Sequence, residues 1–92
     1  MKIKLKILRP FQDVVGQENL TLDIKGTTLQ DLLDDLISQY PKLKEKMLDT
    51  NDKLDSFVNI FVNDKPTFSN EESKVKLKEG DEILIFPAIA GG

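Results

Sequence analysis

A chain of 92 residues, 39% apolar and 32% charged, has the size of one small domain built around one core. A formal net charge of -3 supplies no basic field for nucleic acid or an anionic membrane, and no apolar run is long enough to span a bilayer. Cysteine and histidine are both absent, which removes thiol nucleophiles, disulfides, thiolate or imidazole metal ligands and the usual proton shuttle near neutral pH. With no signal-peptide pattern at the start, the expected setting is the cytoplasm, without nucleic-acid or membrane partners and without a metal site.

Lys2 to Leu8 alternates strictly, placing Ile3, Leu5 and Ile7 on one face and Lys2, Lys4 and Lys6 on the other, the pattern of a half-buried strand. A lysine row of this kind is read first as a solvated face and only second as a binding stripe. Pro10 to Gly16 predicts a short helical turn closed by glycine, with Phe11, Val14 and Val15 packed under the sheet. Asn19 to Lys25 alternates again, with Leu20, Leu22 and Ile24 inward, and is expected to return antiparallel to the first strand.

Gly26 gives a turn, and Thr27 followed by Gln30 three residues later matches a capping box. A helix is predicted from Thr28 to Tyr40, its stripe formed by Leu29, Leu32, Leu33, Leu36, Ile37 and Tyr40. Asp31, Asp34 and Asp35 fall on its polar side, where acidic residues suit the early turns of a helix dipole. Adjacent aspartates diverge on a helix, so they do not form a catalytic or metal-binding pair.

Pro41 stops the helix. A second, short helix is expected near Leu43–Leu48, then a loop through Asp49-Thr50-Asn51-Asp52. Phe57 to Asn63 predicts the third strand, with Val58, Ile60 and Val62 on one face and Phe57, Asn59 and Phe61 on the other. Asn63-Asp64-Lys65 reads as a tight turn and Pro66-Thr67-Phe68 as a brief edge strand. The polar connection Ser69 to Lys78 touches the core through Val75 and Leu77, and its Glu71-Glu72 pair reads as solvated charge. Ile83 to Phe86 is apolar throughout, as a central strand should be. With Ile83 and Ile85 toward the helix, Leu84, Phe86 and Phe61 would share the open face and form a docking patch.

The chain ends Phe86-Pro87-Ala88-Ile89-Ala90-Gly91-Gly92. Glycine lacks a β-carbon, so a Gly-Gly segment can thread a narrow channel and admit close approach to its backbone. Extended, Pro87 to Gly92 spans on the order of 20 Å at ~3.3 Å per residue, enough to reach into a partner's active site.

These pieces resemble the ubiquitin-like β-grasp sulfur carriers of the MoaD/ThiS type, most of all the small subunit of molybdopterin synthase. The matching stretches are Phe11 to Gly16, Thr28-Leu29-Gln30-Asp31-Leu32-Leu33, Tyr40-Pro41, Val58 to Asn63, Leu77 to Ile83 and Phe86 to Gly92. The resemblance implies an α+β, ubiquitin-like β-grasp. Its mixed sheet of four to five strands, in the order β-β-α-β-β-β, would pack on one main helix. Residues 1–86 would form this domain and 87–92 an extended tail.

The resemblance also implies the chemistry. Gly92 would be adenylated and converted to a thiocarboxylate, with Gly91, Ala90 and Ile89 threading the partner and Phe86, Leu84 and Phe61 docking it. No cofactor would be bound, ATP being used by a ubiquitin-activating-type adenylating enzyme. The other implied partners are a sulfur-donating persulfide enzyme and the molybdopterin synthase large subunit, so the chain would not be catalytic alone. One proline after the last strand where members often carry two, a long Lys42–Ser56 segment and a charged Ser69–Lys78 connection depart from the pattern. A lysine-conjugated modifier and a plain interaction domain with frayed terminal glycines are the alternatives.

Overall fold

The structure is a computed structural model describing residues 1–68 and 70–88. Its elements are β1 (Lys2–Ile7), α1 (Phe11–Val15), β2 (Asn19–Asp23), α2 (Leu29–Gln39), α3 (Leu43–Met47), β3 (Val58–Val62), β4 (Lys65–Pro66), a 3-10 turn (Glu72–Lys74) and β5 (Glu82–Pro87). The sheet order is β2-β1-β5-β3-β4, with β1 and β5 parallel and the remaining neighbours antiparallel. The apolar last strand is therefore central, as its composition predicts. The arrangement is a ubiquitin-like β-grasp.

One sheet face carries the core. Ile3, Leu5 and Ile7 of β1, Ile83 and Ile85 of β5, and Val58 and Ile60 of β3 are buried against Leu29, Leu32, Leu33 and Leu36 of α2. Phe11, Leu43 and Met47 close the ends of this layer without solvent exposure. Burying each such side chain stabilises the fold by roughly 1.5–3 kcal/mol relative to exposure. Gly16 ends α1 at φ 87°, and Asn63 and Asp64 turn β3 into β4 at φ 49° and 68°, the left-handed backbone that Asn and Asp tolerate best after glycine.

Two expectations are corrected. The capping box lies one residue later than the Thr27–Gln30 spacing implied. Thr28 is the N-cap: its Oγ1 accepts from the Asp31 amide at 3.1 Å, and Asp31 Oδ2 accepts from the Thr28 amide at 3.1 Å and the Thr27 amide at 3.0 Å. The chain selects this register because the Leu29 amide is taken by Val75 and the Thr27 carbonyl by Leu77, pinning the backbone before the first helical turn. A β-carbon at Gly26 would overlap the Asp31 carboxyl group, so the cap also depends on glycine there. Thr28→Ala is expected to lower stability by about 1 kcal/mol, whereas Thr27→Ala, whose side chain makes no cap, leaves the urea midpoint almost unchanged. Equal losses in the two variants would refute the observed register.

The second correction concerns Phe57, predicted on the open face with Asn59 and Phe61. It precedes β3 and its ring centroid lies 5.8 Å from that of the fully buried Phe11, so it caps the end of the core, still 37% exposed. The alternation of β3 does not extend back to it, because the Asp55 side chain accepts from the Phe57 amide and turns the backbone.

Candidate functional site

The start of β5 is locked before the strand reaches the site. Gly80 adopts φ 83° and donates its amide to the Lys2 carbonyl, placing Asp81 beneath the turn between β3 and β4. Asp81 is buried. Its Oδ1 accepts from Asn63 Nδ2 at 3.0 Å and its Oδ2 from the Lys78 amide at 2.8 Å. Asn63 Oδ1 in turn accepts from the Glu82 amide at 2.9 Å, and the Asn63 amide donates to the Glu82 carbonyl. The sequence marks Asn63 and Asp81 only as turn formers. Their mutual contact, across 18 positions of chain, appears only in the fold.

Both locked carboxylates are held below the usual aspartate range. For Asp81 the Asn63 amide is the main cause, burial opposes it, and the Lys78 amide and charge add to it. For Asp31 the Thr27 amide leads, followed by the Thr28 amide and hydroxyl, again against some burial. A group with a depressed folded pKa binds fewer protons folded than unfolded. Its contribution is therefore complete above the ordinary value of about 3.9 and is lost as pH falls through the lowered folded value. Stability is expected to stay level down to pH of about 5 and then decline. Asp81→Asn should be less stable at neutral pH, because its amide would face the Lys78 N–H, and should show a shallower acid decline. Urea midpoints measured from neutral to acid pH decide this; an identical acid limb in the variant would refute it.

From this anchor β5 presents two faces. Ile83 and Ile85 enter the core, and Leu84 and Phe86 point the other way. Register places Phe61 opposite Leu84 and Asn59 opposite Phe86. The rings of Phe61 and Phe86 meet edge to face, with centroids 5.3 Å apart, an arrangement worth about 0.5–1.5 kcal/mol beyond area burial. The structure thus brings together Phe61, Leu84 and Phe86, the predicted docking residues. Each is half-buried rather than fully exposed, since the rings shield one another.

The described end of the long connection after β4 is held on the helix side of the sheet. Val75 accepts from the Leu29 amide, Leu77 donates to Thr27, and Lys76 bridges to Thr28, which fastens the segment to the start of α2 on the helix side. Glu72, read as a solvated charge, is instead buried there beside Leu33 and Ile37. At the other end of β5, Pro87 pairs with Val58 and the Ala88 amide donates to the Phe57 carbonyl at 2.6 Å. The strand runs one residue beyond the boundary expected at Phe86, and the chain leaves it at the edge of the aromatic patch. Ile89, Ala90, Gly91 and Gly92 lie outside the described residues.

Across the open face, one row runs Asn19, Lys6, Leu84, Phe61 and the next Thr21, Lys4, Glu82. Among the described residues no group of three or more carboxylates could hold a metal ion, and no helix is long and apolar enough to cross a membrane. The described residues of the site offer an apolar, basic-edged platform where the last strand ends.

Comparison with known proteins agrees with this arrangement. The ThiS family model matches residues 5–92. The chain is 35% identical over 88 residues to the sulfur carrier protein CysO of Mycobacterium tuberculosis, covering 94% of this chain and 90% of that protein. The solution structure of small archaeal modifier protein 1 from Methanosarcina acetivorans superposes with a TM-score of 0.82 at 29% identity, covering 99% of this chain and 96% of that one. A chain in the crystal structure of the Amycolatopsis orientalis BexX/CysO complex gives a TM-score of 0.74 at 28% identity, with 98% and 99% covered. A central strand leading into a Gly-Gly segment, on this sheet and with this similarity along nearly the whole chain, makes the protein a member of the ThiS family of ubiquitin-like sulfur carriers and small modifiers.

Proposed function

We propose that this chain carries sulfur as a thiocarboxylate on Gly92. A carboxylate is a poor electrophile, because its charge is delocalised over both oxygens. In this reading a ubiquitin-activating-type enzyme joins the Gly92 carboxylate to AMP, releasing pyrophosphate from ATP. A persulfide sulfur then displaces AMP from the acyl carbon, and thiol cleavage of the resulting S–S bond leaves the thiocarboxylate. No side chain of this protein takes part, consistent with a sequence that has neither cysteine nor histidine. The observation that carries the reading is a family match that continues through Gly92, in a chain 35% identical to a protein named as a sulfur carrier.

Phe61, Leu84 and Phe86 dock the body of the protein while residues 89–92 enter the partner's active site. The similarity to a chain found in a complex with a second protein supports a carrier that works against a partner surface. In its narrower form the acceptor is the large subunit of molybdopterin synthase, and the sulfur goes to a pterin precursor as its dithiolene forms. The Phe86-Pro87 strand end and its resemblance to that synthase's small subunit support this form.

The deciding experiment is the intact mass of the protein isolated from its own cells, with fragmentation. Replacement of one Gly92 oxygen by sulfur is the expected result. Dithiolene formation by the loaded chain with the large subunit would then identify the acceptor. The likeness to a small archaeal modifier protein favours a second reading, conjugation to lysines through Gly92. It predicts branched Gly-Gly peptides on other proteins instead. A chain that is neither thiolated nor conjugated, and that no activating-type enzyme of those cells adenylates, would refute both.

A further inference from the structure

The lysine row of β1 is left over by this account, and its position in the sheet gives it a use. We propose that Lys4 and Lys6 form a basic border of the docking face and that the partner presents Asp or Glu side chains opposite them, around an apolar recess for Phe86 and Phe61. The proposal deepens the carrier reading and rests on it for the partner.

Lys2, Lys4 and Lys6 are all exposed on the face opposite the core. Lys6 sits directly beside Leu84, and Leu84 directly beside Phe61, so the charge adjoins the apolar patch without a gap. Among the described residues none of these lysines is in an ion pair; the pairs are Met1–Asp23, Arg9–Asp13 and Lys44–Asp52. Acidic residues lie at one end of the row: Asp23, opposite Lys2, binds the N-terminal ammonium, Glu79 accepts from the Lys2 amide, and Glu82 lies beside Lys4. Lys6 has none of them directly across the sheet: its partners are Asn19 and Leu84.

Two structural explanations of the row fall short at Lys6. Lysines commonly protect edge strands from unwanted pairing, but β1 lies between β2 and β5 and has no free edge. A solvated face in a chain with 13 basic and 16 acidic residues should mix signs or lean acidic. Here Asp23 stands opposite Lys2 and Glu82 opposite Lys4, so the signs mix at that end of the row; Lys6, next to the apolar patch, has no carboxylate directly across the sheet. A carboxylate of a second protein facing the Lys6 end of the row would supply the missing opposite charge. Lysine stems can also lie along apolar surface while their ammonium groups reach the rim of an interface.

Rim charges of this kind act mainly on the rate of encounter. The test uses the full chain and the purified activating-type enzyme of the same cells, with pyrophosphate release followed over a series of salt concentrations. Lys4→Glu/Lys6→Glu is expected to lower kcat/KM for adenylation about tenfold at low salt with kcat unchanged. The deficit should shrink as salt rises, because exposed charges are screened over ~8 Å at physiological ionic strength. Lys4→Arg/Lys6→Arg should behave as the wild type and share its Tm, while the charge-reversed variant, which sets a glutamate opposite Glu82, should lose a little Tm but stay folded at the assay temperature. An unchanged kcat/KM in the charge-reversed variant, or a loss independent of salt, would overturn the proposal while leaving the carrier reading intact. Failure of the wild-type chain itself to be adenylated would overturn both.

Discussion

Deleting Gly92, or adding one residue after it, is expected to abolish adenylation while leaving the Tm of the domain unchanged. Deletion moves the terminal carboxylate back by one residue, about 3.3–3.6 Å along an extended chain. A misplacement of only ~1 Å at a reacting centre can cost on the order of a hundredfold in rate. An added residue keeps a carboxylate but puts a peptide bond where the reacting carbon should be. Neither change touches the core, whose last described member is Ile85. Pyrophosphate release with the activating enzyme measures the first effect and thermal unfolding the second. Full activity in either variant would show that the terminal carbonyl of Gly92 is not the reacting atom.

The second large effect separates two adjacent residues. Phe86→Asp is expected to weaken partner binding about thirtyfold, the equivalent of ~2 kcal/mol for losing an aromatic anchor. Folding should survive, because the half-buried ring forfeits part of the roughly 1.5–3 kcal/mol of a full burial and the edge-to-face contact with Phe61, about 0.5–1.5 kcal/mol, out of a total stability of roughly 5–15. Ile85→Asp should instead unfold the protein. Ile85 is 0% exposed, and a carboxylate there would be buried among aliphatic side chains with no partner. Binding measured by calorimetry and unfolding measured by circular dichroism give the comparison. If Phe86→Asp unfolds as readily as Ile85→Asp, the outer face is structural and the docking assignment fails.

Most of the fold could be read from the chain. Strict alternation over Lys2–Ile7 assigns each side chain of β1 to a face, because strand periodicity is two and tolerates no slip. Leu29, Leu32, Leu33 and Leu36 repeat at helical spacing and are all buried on α2. The unbroken apolar run of β5 announced a central strand, and the two-face division of Ile83, Leu84, Ile85 and Phe86 followed from pleating alone. Local pattern was sufficient there because burial and periodicity point the same way.

What only the tertiary structure decided involves partners distant in the chain. The capping box moved from Thr27 to Thr28 because Val75 and Leu77, nearly fifty residues on, claim the neighbouring backbone groups. Phe57 left the open face for the end of the core because Phe11 offers it a ring to pack against. Asn63 and Asp81 became one hydrogen-bonded clamp, which two separate turn signals do not disclose. The lysines of β1 changed meaning only when the parallel pairing with β5 set Lys6 beside Leu84. Alternation specifies which way a side chain points. Its neighbour across the sheet depends on strand order and register, and these are settled by the whole chain packing at once.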